Sequence, residues 1–304
     1  MNDQKLSDLF HLVIACLVLG LMAFATPLSP ASAKELKLAH FLPPVHTNHS
    51  KVMVPWAKEV GKLSNGELTI KVYPARQLGG TPPGQFKMVV GGVADIAFVV
   101  PPYTPGIFPR TSVLEMPVPP KDSQHATRIL YALFDKYLAE DFKAVKVLAM
   151  WAVDEYVLVT KDKPVRSLED MKGLKFRAAS RTQNLVIKAL GGVPVNMPTT
   201  QVYTSMDTGV IDGMLGGASI VFSFRLMDVS KYYHFGGPFS TSSLALAMNK
   251  KIWNGLSPKH RKIIEETSQI GLGMKAAKAY DTKYQATIGA IKKARQGAHQ
   301  IVCG

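Results

Sequence analysis

The chain has only two cysteines in 304 residues, and one of them, Cys16, lies in an apolar N-terminal segment. Without that segment only Cys303 remains, so an internal disulfide and a cysteine-based metal site are both excluded. The sequence also has no repeat with a period of about 20–50 residues, which argues against a solenoid. Apolar residues make up 47% and charged residues 19% of the chain, as in an ordinary folded protein.

Recognisable catalytic motifs are missing as well. The chain contains no G-x-S-x-G, H-E-x-x-H, P-loop, G-x-G-x-x-G or C-x-x-C sequence. His40, His46 and His49 cluster in one segment, but no matching carboxylate or thiol lies near them in sequence. We therefore predict neither a metal nor another cofactor. The absence of catalytic motifs favours a binding protein over an enzyme.

The charge is strongly basic, +14 at neutral pH, but the lysines and arginines are scattered along the chain. Nucleic-acid binding needs cations concentrated on one helix, loop or face. The sequence therefore predicts no nucleic-acid partner, and the charge is interpreted as solubility with mild attraction of anions.

One long apolar run is present, at the N-terminus. It extends from Leu9 to Ala25, follows Lys5 and precedes Ala31-Ser32-Ala33. A cation, an apolar centre and an A-x-A site predict a cleaved secretory signal peptide over residues 1–33. A membrane anchor is the alternative, but the run is short for a spanning helix and contains His11. The mature chain would carry a charge of +15, since the segment holds one cation and two acids.

The rest of the chain alternates between predicted strands and predicted helices. The strands are ELKLAHF, LTIKVYP, DIAFVV, KVLAMW, YVLVTK, GLKFRAAS, VPVNM and VIDGML, with helical periodicity between most of them. This order predicts an α/β fold with mostly parallel sheets. KVLAMW is followed by YVLVTK without a helix, so we place a boundary between two lobes near Trp151–Tyr156. Ser257-Pro258 begins a long helix to about residue 292, with Gly271 and Gly273 as candidate breaks.

Two lobes imply a cleft, and clefts between lobes bind small ligands. Arg177 lies near the C-terminal end of the GLKFRAAS strand, the edge at which α/β proteins place their ligands. Its guanidinium offers a planar pair of donors that matches a carboxylate, which a lysine does not. Arg177 is therefore the leading candidate for binding an acid.

Four motifs resemble the extracytoplasmic solute-binding proteins of TRAP transporters, the DctP type. They are QLGG with Phe86 and GGVADIAF at 77–98, F-P-x-x-x-x-L-x-x-P at 108–117, LEDMKGLKFR at 168–177, and VYTSMDTGVIDG at 202–213. They follow the family's order, and the resemblance covers about residues 36 to 290. The last two motifs, at their mutual distance, are the most specific.

The resemblance implies a two-lobed periplasmic binding protein of the type II kind. One lobe would comprise residues 34–153 with about 240–304, including the spanning helix, and the other residues 154–239. In the family an arginine at the position of Arg177 clamps the ligand carboxylate. The implied function is capture of a small organic acid in the periplasm and its delivery to the membrane permease subunits. We expect a monomer, and the alternative function is an exported enzyme on the same scaffold.

The sequence departs from the family pattern at three places. Gln201 replaces an acid, Asp207 replaces a glutamine, and Met214–Gly217 replaces a polar pair. The loss of polar groups argues against a sugar acid and favours an aromatic or branched acid. Besides Arg177, the candidate ligand contacts are the side chains near the predicted strand ends and the cleft: His40, Phe41, Tyr103, Trp151, Tyr156 and Asn196.

For some of these candidates, a structural role is an alternative to ligand binding. Trp151 fits core packing as well as a pocket wall, and Asn196 fits a helix cap as well as a ligand contact. Arg177 itself has a structural ion pair as its alternative role.

Overall fold

The computed structural model describes residues 33–237, 239–294 and, for the backbone alone, 300–303. It contains two sheets. The first has the order β2-β1-β3-β10-β4, and its strands are β1 (Lys34–Ala39), β2 (Leu68–Tyr73), β3 (Ile96–Val99), β4 (Val145–Ala152) and β10 (Ser243–Asn249). β1 runs parallel to β3, whereas β10 is antiparallel to both of its neighbours.

The second sheet has the order β11-β9-β5-β8-β6-β7. Its strands are β5 (Tyr156–Thr160), β6 (Lys175–Ala178), β7 (Val193–Asn196), β8 (Gly213–Gly217), β9 (Tyr232–Phe235) and β11 (Gln300–Cys303). β5 runs antiparallel to β8 and β9, and the other pairs are parallel. β6, which carries Arg177, is therefore an interior strand.

Ten α-helices connect and cover the described strands. They are α1 (Val54–Leu63), α2 (Gln85–Val90), α3 (Ser123–Leu133), α4 (Leu168–Met171), α5 (Arg181–Ala189), α6 (Val202–Asp207), α7 (Ser219–Ser223), α8 (Lys250–Asn254), α9 (Pro258–Thr267) and α10 (Gln269–Ala294). Several of them begin at a serine cap, and the start at Ser257 is as the sequence predicts. Ser167 caps α4 in a capping box with Asp170, and Ser257 caps α9 ahead of Pro258.

Both faces of each sheet are buried, because alternate residues of a strand point to opposite faces. In β3, Ile96 and Phe98 belong to one core and Ala97 and Val99 to another. In the second sheet, Val157 and Val159 of β5 face one core, and Tyr156 and Leu158 face another. The continuous apolar runs in the sequence follow from this double burial.

Two short segments carry the chain between the sheets. Residues 153–155 lead from β4 to β5, and residues 239–242 lead back to β10. The two segments pair with each other, since Val153 N donates to Ser242 O at 2.9 Å and Tyr156 N to Ser240 O at 3.1 Å.

Helix α10 is a third connection between the sheets. Leu272, Ala276 and Tyr280 pack in a core of the first sheet. Farther along the helix, Ile291 packs in a core of the second sheet. The helix therefore packs against both halves of the fold, where each half means one sheet with the helices that cover it.

The α/β class and the long C-terminal helix are confirmed. Both sheets are mixed, because β5 and β10 run antiparallel to their neighbours, and three of the five strand pairs in the second sheet are parallel. The break in the C-terminal helix lies between α9 and α10, where Gln269 has a left-handed backbone (φ 55°), and not at Gly271 or Gly273. The predicted lobe boundaries stay a prediction; the backbone of β11 pairs with β9 in the second sheet.

Gly273 instead allows a close approach of α10 to β4. A Cβ atom on Gly273 would lie 2.3 Å from the carbonyl oxygen of Met150, whereas one on Gly271 would meet nothing within 4 Å. We expect Gly273→Ala to destabilise the protein by about 1–3 kcal/mol, since the helix must move away from the sheet. Gly271→Ala should be neutral or stabilising by up to about 1 kcal/mol. Denaturant unfolding of both variants checks this; equal effects would contradict the close-packing role.

Within the described residues, no helix is long and apolar enough to cross a membrane. The predicted signal peptide covers residues 1–33, of which 1–32 lie outside the described part of the chain. The signal peptide therefore stays a prediction.

Candidate functional site

A cavity of about 60 Å³ lies where the two sheets meet, and both sheets contribute to its wall. Its lining is mainly apolar and aromatic, with polar groups at a few positions. The residues that line it include Phe41, Phe98, Val100 and Tyr103 from the first half, Tyr156, Arg177, Thr199, Gly216, Ser219 and Ile220 from the second, and Val153, Asp154, Ser242 and Tyr280 from the connecting segments and α10.

Arg177 is the only lysine or arginine among the described lining residues of this cavity. Its side chain is held by backbone carbonyls: Nε donates to Met197 O at 3.0 Å and Nη1 to Leu215 O at 3.4 Å. The residue is 2% exposed, and no ion pair among the described residues includes it. A buried guanidinium without a carboxylate partner is positioned to bind an anion.

The MLGG segment of β8, Met214–Gly217, lies next to this guanidinium. β6 pairs with β8 so that Arg177 lies opposite Met214, and β8 continues into Gly216 and Gly217. A Cβ atom on Gly216 would lie 3.4 Å from Arg177 Nη1. That is an ordinary van der Waals distance, so Gly216 borders the arginine and, with Gly217, lines the cavity without a polar side chain.

Tyr103 joins the two halves of the cavity by hydrogen bonds. It lies in a turn that follows β3, and its hydroxyl accepts from the backbone N of Thr199 at 3.1 Å and from Arg177 Nη2 at 3.4 Å. The hydroxyl also lies 3.0 Å from Thr199 Oγ1. With two donors on its oxygen, the Tyr103 O–H is free to donate to that hydroxyl. Tyr103 thus links the first half of the fold to the arginine in the second.

A buried polar network lies behind Tyr156. The Tyr156 hydroxyl accepts from Gln183 Nε2 at 2.9 Å, and the same nitrogen lies 3.4 Å from Glu115 Oε1. Burial raises the pKa of Glu115 to about 7, opposed by hydrogen bonds from Ser180 and Gln183 and by the charge of Arg177. Burial also raises the pKa of Tyr156, so its hydroxyl stays neutral. Tyr156 therefore offers a neutral hydroxyl at the cavity.

A second polar region of the lining is formed by Asp154, Ser219, Asn48, His46 and Tyr280. Asp154 lies in the segment between the sheets and accepts from Ser219 N at 2.6 Å and from Ser219 Oγ at 2.8 Å. Burial raises the pKa of Asp154 to about 7, although both hydrogen bonds from Ser219 lower it. This carboxyl fixes the start of α7 against the connection.

The structure brings four of the seven predicted contacts together at this cavity: Phe41, Tyr103, Tyr156 and Arg177. Trp151 is fully buried and stacks on Phe98, with ring centroids 6.0 Å apart, so it supports the wall from behind. Asn196 lines a neighbouring groove of about 290 Å³. Their roles in binding stay predictions.

His40, the remaining candidate, is buried next to the cavity wall but is absent from the described lining. Its Nε2 lies 2.9 Å from His49 Nδ1, and its Nδ1 accepts from Leu42 N at 3.2 Å. Burial, with smaller effects of His49 and His46, lowers the pKa of His40 to about 3. A neutral His40 therefore shapes the turn that places Phe41. No group of three or more potential metal ligands exists among the described residues.

Sequence reasoning missed several lining residues: Asn48, Asp154, Thr199, Ser219 and Tyr280. Tyr280 lies midway along α10, where its spacing indicates only a packed helix face. Asn48 and Thr199 lie in irregular helical turns, whose paths are set by tertiary contacts. No local pattern marks these positions as belonging to one site.

Two mixed sheets, joined by two paired segments and a shared helix around a cavity with one buried arginine, define a protein of the solute-binding class. A family model described as bacterial extracellular solute-binding protein, family 7 (DctP), matches residues 38–302. The chain belongs to this family.

Among curated relatives, the chain is similar to the 2,3-diketo-L-gulonate-binding periplasmic protein of Escherichia coli K12, with 28% identity over 266 residues, 84% of this chain and 77% of the relative. Among solved structures, it is similar to a marine metagenome TRAP solute-binding protein specific for aromatic acid ligands, in complex with metahydroxyphenylacetate. That structure has a TM-score of 0.84 and 32% identity and covers 88% of this chain and 85% of that one.

A second similar structure is a TRAP solute-binding protein from Rhodoferax ferrireducens T118 in complex with copurified benzoate. It has a TM-score of 0.84 and 29% identity, covering 89% of this chain and 85% of that one.

Proposed function

We propose that this chain is the periplasmic solute-binding component of a TRAP transporter, which captures a small aromatic monocarboxylate through Arg177 and delivers it to the membrane permease. The observation that carries the proposal is the buried Arg177 guanidinium at an aromatic-lined cavity, with no carboxylate at ion-pair distance among the described residues. Membership of family 7 supports the transport role.

The charges of the lining support a single carboxylate. Among the described lining residues Arg177 is the only arginine, and there is no lysine. Asp154 is an acid in the same lining. A second ligand carboxylate would find no further lysine or arginine in that described lining. A dicarboxylate is therefore disfavoured by unpaired charge in a buried site.

The apolar lining supports an aromatic ring. Phe41, Phe98, Tyr103 and Tyr156 supply ring faces and edges, which pack against an aromatic ring with offset or edge-to-face geometry. A sugar acid carries many hydroxyl groups, each of which needs a partner when it is buried. The two similar structures that hold aromatic acids support the same ligand class.

Binding by closure of two lobes fits the connections between the sheets. The paired segments at 153–155 and 239–242 are the short links about which the halves would rotate. Tyr103, which reaches from the first half to Thr199 and Arg177 in the second, would hold the closed form.

A ligand panel tests the proposed function. The mature chain, unfolded and refolded to remove any copurified ligand, is titrated calorimetrically with benzoate, phenylacetate, D-glucuronate and succinate. We expect micromolar or tighter binding of at least one aromatic monocarboxylate, equivalent to about 8 kcal/mol, and no comparable binding of the other two. Tighter binding of glucuronate or succinate than of both aromatic acids would refute the proposed ligand class.

Tyr103→Phe tests the hydrogen bonds that cross the cavity. Removing the hydroxyl leaves Thr199 N and one donor of Arg177 without this partner, and each such bond contributes about 0.5–1.5 kcal/mol. We expect affinity for the best acid of the panel to fall roughly 2- to 12-fold, mainly through faster dissociation. Tyr137→Phe, at an exposed tyrosine, is the control. Unchanged dissociation in Tyr103→Phe would remove this role.

A further inference from the structure

Asn48 lacks a hydrogen-bond partner for one of its buried polar atoms. The residue is fully buried and lines the cavity. Its Nδ2 donates to the hydroxyl of Tyr280 at 2.9 Å, but its Oδ1 has no partner. Buried polar atoms of side chains are normally satisfied, so an unpaired acceptor in a cavity wall marks a place where a ligand donor fits.

His46, two residues before Asn48, supplies a donor in the same cavity lining. Its Nδ1 accepts from the backbone N of Asn48 at 3.1 Å. In a neutral imidazole the other nitrogen then carries the proton, so Nε2 is an N–H donor. Burial, with the charge of Lys283 and the proximity of His49, lowers the pKa of His46 to about 3, which keeps the ring neutral. His46 lines the same cavity.

An acceptor on Asn48 and a donor on His46, both in the lining of one cavity, select for a group that can both donate and accept. A hydroxyl does both. A carboxylate has no proton to give to Asn48 Oδ1. An ammonium group cannot accept from His46, and a hydrogen or methyl substituent leaves both protein groups unpaired.

We propose that Asn48, with His46, forms a subsite that recognises a hydroxyl substituent of the ligand, so that the preferred solute is a hydroxylated aromatic acid. The inference rests on the proposed function, since Arg177 is taken to hold the carboxylate. Beyond the proposed function, it identifies Asn48 as the residue that distinguishes hydroxylated aromatic acids from other aromatic acids. A site built to bond a hydroxyl rejects the analogue without it, because its own buried groups are then left unpaired.

The test compares benzoate with 2-, 3- and 4-hydroxybenzoate on the wild type, Asn48→Ala and Asn254→Ala. Asn254 is an exposed asparagine at the end of α8 and serves as the matched control. We expect the wild type and Asn254→Ala to bind one hydroxybenzoate isomer about 10-fold or more tightly than benzoate, as one to two hydrogen bonds would provide. In Asn48→Ala the ratio should fall to within about 3-fold of one.

The ratio of two ligands on one protein cancels a general loss of stability in the variant. If Asn48→Ala does not fold, His46→Phe, which removes the Nε2 donor, gives the same comparison. The inference is overturned if no isomer is preferred by the wild type, or if the preference persists in Asn48→Ala. Absence of all binding by benzoates, with tight binding of another class of acid, would instead overturn the proposed function.

Discussion

Replacing Arg177 by alanine is expected to weaken binding of the aromatic acid by about 2–5 kcal/mol, or roughly 30- to 4,000-fold. The reason is the burial of the site. Arg177 is 2% exposed and is the only lysine or arginine in the described lining, so without it the ligand carboxylate would be buried with no cationic partner. Calorimetric titration of the variant with the best acid of the panel measures the loss.

Two further variants separate charge from geometry. Arg177→Lys keeps the positive charge but has no planar fork and cannot make the same set of bonds to Met197 O and Leu215 O. Its affinity should lie between those of the wild type and Arg177→Ala. Arg181→Ala, at an exposed arginine at the start of α5, should bind like the wild type. Equal affinity in Arg177→Ala and Arg181→Ala would contradict the assigned role.

Replacing Asp154 by alanine is expected to destabilise the connection between the two halves. The carboxyl accepts from both the backbone N and the hydroxyl of Ser219. Each buried donor left without a partner costs about 1–3 kcal/mol, so the melting temperature should fall by several degrees. Asp154→Asn retains one acceptor in the same shape and should lose less. Asp162→Asn, at an exposed carboxylate that pairs with Lys231, is the control for loss of charge.

The stability difference between Asp154→Asn and the wild type should also depend on pH. Burial raises the pKa of Asp154 to about 7 in the folded protein, whereas an unfolded aspartate has a pKa near 3.9. Between these values the unfolded chain binds fewer protons than the native one, so wild-type stability falls as pH rises. Asp154→Asn lacks this effect.

From pH 4 to pH 7 the melting temperature of Asp154→Asn should therefore rise relative to the wild type. Over this range the difference in free energy of unfolding between the variant and the wild type should change by up to about 4 kcal/mol. Above about pH 7.5 this difference should be constant. A difference that does not vary between pH 4 and pH 7 would show that Asp154 is ionised throughout.

Much of the fold is encoded in local sequence patterns. The continuous apolar runs in KVLAMW and DIAFVV predict strands that the structure contains as β4 and β3. Ser167 and Ser257 mark helix starts because capping depends on residues three positions apart. The helix break near Ser268 was not predictable, since Gln269 carries no side-chain signal for a left-handed backbone.

The site was predictable only in part, for a physical reason. Arg177 stands out because a charged residue within an apolar interior strand is unusual, and Phe41 and Tyr103 follow strand ends. Asn48 and Tyr280 are 232 residues apart and meet only through packing of α10. Such a pair leaves no pattern in a single sequence.

The most direct test of the account is a crystal structure of the mature protein with its tightest-binding acid from the panel. The account predicts the carboxylate within hydrogen-bond distance of the Arg177 guanidinium, about 2.7–3.2 Å, and the ring against Phe41 and Phe98. A carboxylate bound elsewhere, with Arg177 contacting only Met197, Leu215 and Tyr103, would contradict it.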